Sequence, residues 1–226
     1  MTEEKDVLIA LNGVAQDVAG VINDQLVAGL WKTGLIEDMC WVYHDADQDG
    51  SHPCGIPCRP SKWRAPTWSW ASIRHSVRPS SLSPRAMTDM ATIVSLSVNQ
   101  KSSGELGHAS IQLSCRLLLV PWSAWLRKYS PIEYQPYSIL LTLDDNCDTN
   151  RQRTKDSSSI NAIILRQRYP LDVGLSEGIL VAPHVYQDKC FERIGYFCQD
   201  GPMSASELER LNEGYDKAQE SIIELV

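Results

Sequence analysis

Between residues 91 and 198 the chain carries six strand-like segments, with turn residues and no helical segment between them. They are Ala91–Val98, Ala109–Val120, Tyr137–Leu143, Ile160–Arg166, Gly178–Pro183 and Glu192–Cys198. Strands joined without crossover helices pair antiparallel, because a parallel neighbour needs a long return connection. The expected class is therefore α+β and mainly β: an antiparallel β-sandwich or barrel, with N-terminal helices and a C-terminal helix. Ser103-Gly104 and Asp144-Asp145-Asn146 supply the turn chemistry. The stretch Asn146–Ser159 is polar and has no large apolar residue, which predicts an exposed excursion.

The flanks read differently. Over residues 6–22, Leu8, Leu11, Ala15, Val18 and Ile22 share one face at helical spacing. A second helix is expected over 25–43, interrupted at Gly34, and then a Pro- and Gly-rich loop over 44–66. Thr67–Ile73 alternates as a strand would, which places Trp68 and Trp70 on the same side. Residues 74–89 are rich in Ser, Pro and Arg and read as a loop. Ser204 and Glu207 form a capping box ahead of Leu208, Leu211, Tyr215, Ala218, Ile222 and Leu225. That pattern predicts a helix over 204–226. The expected organisation is one domain over 1–226, with a helical part at 6–43, a β core at 67–198 and the terminal helix.

The 226 residues carry a net charge of −7, which repels phosphate backbones and argues against nucleic acid as a partner. No run of 18 apolar residues exists, so no membrane span is expected. The acidic opening Met1-Thr-Glu-Glu4 is unlike a secretory signal, and a cytoplasmic location follows. Seven cysteines at scattered spacing do not form a disulfide framework.

Motifs for standard chemistries are incomplete. Asp45-Ala-Asp-Gln-Asp-Gly50 opens like a calcium loop, but its twelfth position is Ile56 rather than a carboxylate. His44, His52, Cys54 and Cys58 are zinc-type ligands, yet no second cysteine pair follows them. No Gly-x-Ser-x-Gly elbow and no Gly-rich phosphate loop is present. These patterns imply neither a metal nor a cofactor. The densest chemistry lies in Lys62-Trp-Arg-Ala-Pro-Thr-Trp-Ser-Trp70, part of a chain with seven tryptophans and only two phenylalanines. For any single residue of this segment a cation–π contact within a core is the better explanation, and an aromatic wall of a ligand cavity can coexist with it.

Arg64-Ala-Pro-Thr-Trp-Ser-Trp-Ala-Ser72 resembles the R-A-P-S-W-S-W-A-S segment found downstream of the HET domain in fungal heterokaryon-incompatibility proteins. Asp6–Ala15, Leu26–Trp31, Met39–Trp41 and Phe191–Phe197 resemble further segments of that region, in the same order. The HET domain itself is linked in that family to triggering cell death. The resemblance begins downstream of it, so the effector activity is not expected here. Short chains similar to this region occur among fungal secondary-metabolite genes and include Diels–Alder cyclases of terpenoids. The resemblance thus implies a cofactor-free pericyclase acting on an apolar small-molecule intermediate. The alternative is a non-catalytic binding or regulatory module derived from an incompatibility protein. Candidate catalytic donors are Arg64, Tyr196 and His184, and candidate substrate-binding residues are Trp63, Trp68, Trp70 and Arg193.

Overall fold

The computed structural model describes residues 6–43, 58–80, 87–101, 105–121, 138–144, 159–168, 176–200 and 213–226. The His44, His52 and Cys54 ligand set, the Asp45–Gly50 motif and nearly all of Asn146–Ser159 lie outside them. Helix α1 spans Val7–Ile22 and buries Leu8 and Ala15. It stops at Asn23, whose left-handed φ of 54° lets its N–H reach Ala19 O. Val18 and Ile22, expected on the packed face, are 41% and 48% exposed.

The helix expected over 25–43 is largely replaced by a hairpin. Strands β1 (Leu26–Val27) and β2 (Leu30–Trp31) pair antiparallel around Ala28 and Gly29. Both turn residues have positive φ, 49° and 91°, as a type I′ hairpin turn requires. Only Leu35–Asp38 is helical (α2). Strand β3 (Val42–Tyr43) then pairs with β4 (Val77–Arg78).

Thr67–Ile73 is not a strand either. Trp70–Ser72 forms a 3-10 turn capped by Ser69, whose Oγ accepts from Ala71 N at 3.1 Å and donates to Ala28 O at 2.6 Å. The Arg64 guanidinium donates to the carbonyls of Ala71 and Ile73. These side-chain-to-backbone bonds compete with extended pairing and win here. Trp68 and Trp70 consequently do not share a face. Trp68 is fully buried, and Trp70 is only partly so.

The β core follows the expectation closely. Its strands are β5 (Met87–Asp89), β6 (Thr92–Gln100), β7 (Leu106–Pro121), β8 (Ser138–Leu143), β9 (Ser159–Arg168), β10 (Ser176–Pro183), β11 (Cys190–Asp200) and β12 (Glu220–Leu225). Strands β7, β9, β10, β11 and β12 close into a five-stranded barrel. A ring with an odd number of strands cannot be antiparallel throughout. The odd junction is β11–β12, the one parallel pair among the described strands. Strands β5, β6 and β8 extend the sheet outward from β9, β7 and β11.

Strand β12 replaces the last part of the helix expected over 204–226, while Ser204 and Glu207 lie outside the described residues. Within the described part only 213–217 is helical. In β12, Ile223 and Leu225 are buried while Ile222 is 58% exposed, a period of two rather than 3.6. Two open ladders, on β7 and β11, are satisfied by this segment, and tertiary pairing overrides the helical pattern.

One face of the ring strands forms the main core, with Ile111, Leu113, Ile163, Leu165, Ile179, Val181, Ile223 and Leu225. Leu35, Met39 and Trp68 from the N-terminal region join it. The other faces of β9, β10 and β11 bury Ala162, Ile164, Leu180 and Ile194 in a second core. Among the described residues no helix is long and apolar enough to cross a membrane.

Candidate functional site

Two arginines on barrel strands fix the N-terminal region against the β core. Arg193 of β11 is fully buried. Its Nε and Nη2 donate to Asp144 Oδ2 and Oδ1 at 2.7 and 3.0 Å. Nη1 donates to Met39 O at 2.6 Å, and Nη2 also donates to Trp41 O at 2.7 Å. The guanidinium carbon lies 3.4 Å from the Trp41 ring centroid, a stacked cation–π contact. Burial draws the guanidinium below its usual range, and Asp144 opposes that shift. The Arg193 N–H donates to Thr67 Oγ1 at 2.9 Å, and the Thr67 hydroxyl donates in turn to Val226 O.

Arg166 of β9 lies directly across the ladder from Glu177 of β10. Its Nη1 donates to the fully buried Glu177 Oε1 at 2.9 Å, and Glu37 of α2 stands 3.5 Å from Nη2. Glu177 Oε2 accepts from the Tyr196 hydroxyl at 3.1 Å, and Ser80 Oγ lies 3.0 Å from that hydroxyl. Burial first, then Cys198 and Glu177, push the Tyr196 phenol well above its ordinary value, so it stays a neutral donor. Gly178 permits this close approach of β9 and β10. A Cβ there would sit 1.9 Å from Ile163 O.

These two networks border a cleft of about 280 Å³. Gly29 and Leu30 of the hairpin, Glu37 and Asp38 of α2, Trp41, Trp70, and the Val77–Ser80 segment surround it, together with Arg166. Trp41 Nε1 donates to Trp68 O at 2.9 Å and Trp70 Nε1 to Gly29 O at 2.8 Å. The indole N–H groups are thereby engaged within the protein, and both rings are held in place. Arg78, an exposed residue of β4, also lines the cleft. Asp38 accepts from Trp31 N at 3.0 Å, and burial raises its carboxyl above the usual range.

The residues proposed from sequence separate into two groups. Trp70 lines the cleft, Tyr196 reaches it through Ser80, and Arg193 stacks on the cleft residue Trp41. Arg64 instead caps the 67–73 turn, Trp68 belongs to the core, and Trp63 is 54% exposed outside the cleft lining. His184 follows β10 seven residues beyond Glu177, about 23 Å along an extended chain. Its Nε2 is 3.9 Å from Glu192 Oε1.

Sequence reasoning passed over Trp41, Arg78, Arg166 and Glu177. A signal existed for Arg166: a cation directly after Ile163-Ile-Leu165 breaks an apolar strand and asks for a buried partner.

Three described thiols are held protonated. Burial pushes Cys40 well up and Cys115 to about 12, and burial with Glu224 nearby raises Cys190. None of these is a ready thiolate nucleophile. Among the described residues, no three His, Cys, Asp or Glu side chains gather as a metal-binding group. Compared with protein-family models, curated proteins and solved structures, the chain matches none.

Proposed function

We propose that this protein is a cofactor-free cyclase of the Diels–Alder type and that the Trp41–Trp70 cleft is its reaction site. The observation that supports the reading is that Trp41 and Trp70, each held by its indole N–H, line one cleft together with the exposed residue Arg78. A pericyclic reaction needs a substrate held in its reactive fold, and rigid apolar walls supply that by preorganisation. A donor to the activating carbonyl of the dienophile adds electrostatic stabilisation. In this reading Arg78 takes the donor role expected for Arg64. The substrate in this reading is the terpenoid-like intermediate that the resemblance implies, and it carries oxygen functions, because Glu37, Asp38, Arg78 and Arg166 make much of the lining polar.

The test is turnover of a panel of linear diene–dienophile precursors by purified protein. Conversion above the buffer rate, with one product enantiomer in excess, is the expected result. Arg78→Gln should lower turnover on the order of 100-fold without changing the melting temperature. Trp70→Phe, which keeps an aromatic face, should lower it less.

A second reading, a non-catalytic binding module, draws support from one feature. Arg193, Glu177 and Tyr196 are engaged with other parts of the protein. Saturable quenching of tryptophan fluorescence by the same precursors, with conversion equal to the buffer control, would select this reading and remove the first.

A further inference from the structure

We infer that the chain forms a two-fold dimer through the outer edge of β6. This strand ends the sheet and pairs only with β7 among the described residues. Among the described residues its other edge carries no strand and offers a row of main-chain donors and acceptors. Natural edge strands are usually blunted by charges, proline or a bulge. Thr92–Gln100 contains no charged residue and no proline, although 22% of the chain is charged. A register skip at Val94 bends the strand, but from Ser95 to Asn99 the pairing with β7 is unbroken.

The sequence of this edge is self-complementary. Val94-Ser95-Leu96-Ser97-Val98 reads the same in both directions. Antiparallel pairing of two copies about an axis at Leu96 sets Leu96 opposite Leu96 and Ser95 opposite Ser97. Val98 of each copy then lies beside Val94 of the other. Every residue meets its own kind, apolar against apolar and hydroxyl against hydroxyl, which is the favourable cross-strand arrangement. Val94 and Val98 are 50% and 39% exposed in the single chain, and this contact covers them. The contact is isologous: it uses the same edge of both copies and closes as a pair rather than growing into a fibre. The inference is independent of any catalytic role for the cleft.

Sedimentation equilibrium decides it. The wild-type protein should run at two chain masses. In Ser95→Lys/Ser97→Lys, each lysine faces a lysine of the other copy, and the mass should fall to one chain. Ser95→Lys/Ser97→Glu places opposite charges in register across the axis and should restore the doubled mass. Both serines are exposed, and the changes remove only the exposed hydrogen bond from Ser95 Oγ to Gln112 Oε1, so circular dichroism and melting should be nearly unchanged in both variants. A wild-type protein that stays at one chain mass up to its solubility limit overturns the inference. A dimer that survives the double lysine change places the interface elsewhere and does the same. Failure of the Lys/Glu pair to restore association overturns the proposed register and, with it, the self-complementary edge.

Discussion

Removing Asp144 should be among the most destabilising single changes in this protein. Asp144→Ala leaves Arg193 fully buried without its counter-ion, and breaking a buried pair from one side costs about 3–5 kcal/mol. The informative comparison is with Arg193→Met/Asp144→Ala. In many proteins, replacing both partners of a buried ion pair with apolar groups recovers the loss. Here it should not, because Arg193 also serves Met39 O and Trp41 O. Two buried carbonyls left without donors at about 1–3 kcal/mol each keep the double variant roughly 2–6 kcal/mol below wild type. Urea unfolding followed by circular dichroism measures both values. Tryptophan emission gives a second signal, since loss of the Arg193 stack exposes Trp41. If Asp144→Ala loses under about 1 kcal/mol, or the double variant equals wild type, then Arg193 is not what holds residues 39–41 to the barrel.

Two further outcomes test the geometry around the cleft. Gly178→Ala should lower stability by about 1–3 kcal/mol or more in the same urea assay, because its methyl meets Ile163 O at 1.9 Å and Phe197 at 2.8 Å; an unchanged midpoint would refute the tight β9–β10 approach. Burial raises the Asp38 carboxyl above 3.8, so the folded state favours its protonated form, and stability is lost as pH rises from 3.8 through the raised value. Wild type should therefore lose stability relative to Asp38→Asn across that interval, and a difference independent of pH would contradict the assignment.

The strands of the β core were legible because each carries its own signal. Residues 160–166 and 192–198 are long apolar-rich runs, and polar turn residues bound them. Strand β12 was not legible for a specific reason. Leu211, Tyr215, Ala218, Ile222 and Leu225 fit a helical stripe over many residues, whereas the strand offers only Glu220–Leu225. A short segment obeys the two open ladders it completes, and those belong to β7 and β11, far away in sequence. The N-terminal hairpin was hidden similarly. Leu26-Val27 and Leu30-Trp31 are apolar pairs that suit a helix or a strand, and the decision lies in the positive φ at Ala28 and Gly29. At the site, the indole-rich segment was visible as chemistry but not as geometry. Ser69 turns the chain between Trp68 and Trp70 and sends one ring to the core and the other to the cleft. The Arg166–Glu177 pair depends on a strand register that no local pattern specifies.

The parallel junction also sets the order of events in synthesis. Glu220–Leu225 leaves the ribosome after every strand it joins, and its partner segment Ile111–Arg116 lies about a hundred residues earlier. Until it arrives, β7 lacks a partner along Ile111–Arg116 and β11 along Cys190–Phe191, and the ring stays open. Contacts of such long sequence separation slow folding, and unpaired edges invite association with other nascent chains. The fold thus creates an interval in which a chain synthesised only as far as β11 is prone to association. Supplying the 220–226 segment in trans to a chain truncated before it would be a direct way to end the interval on demand.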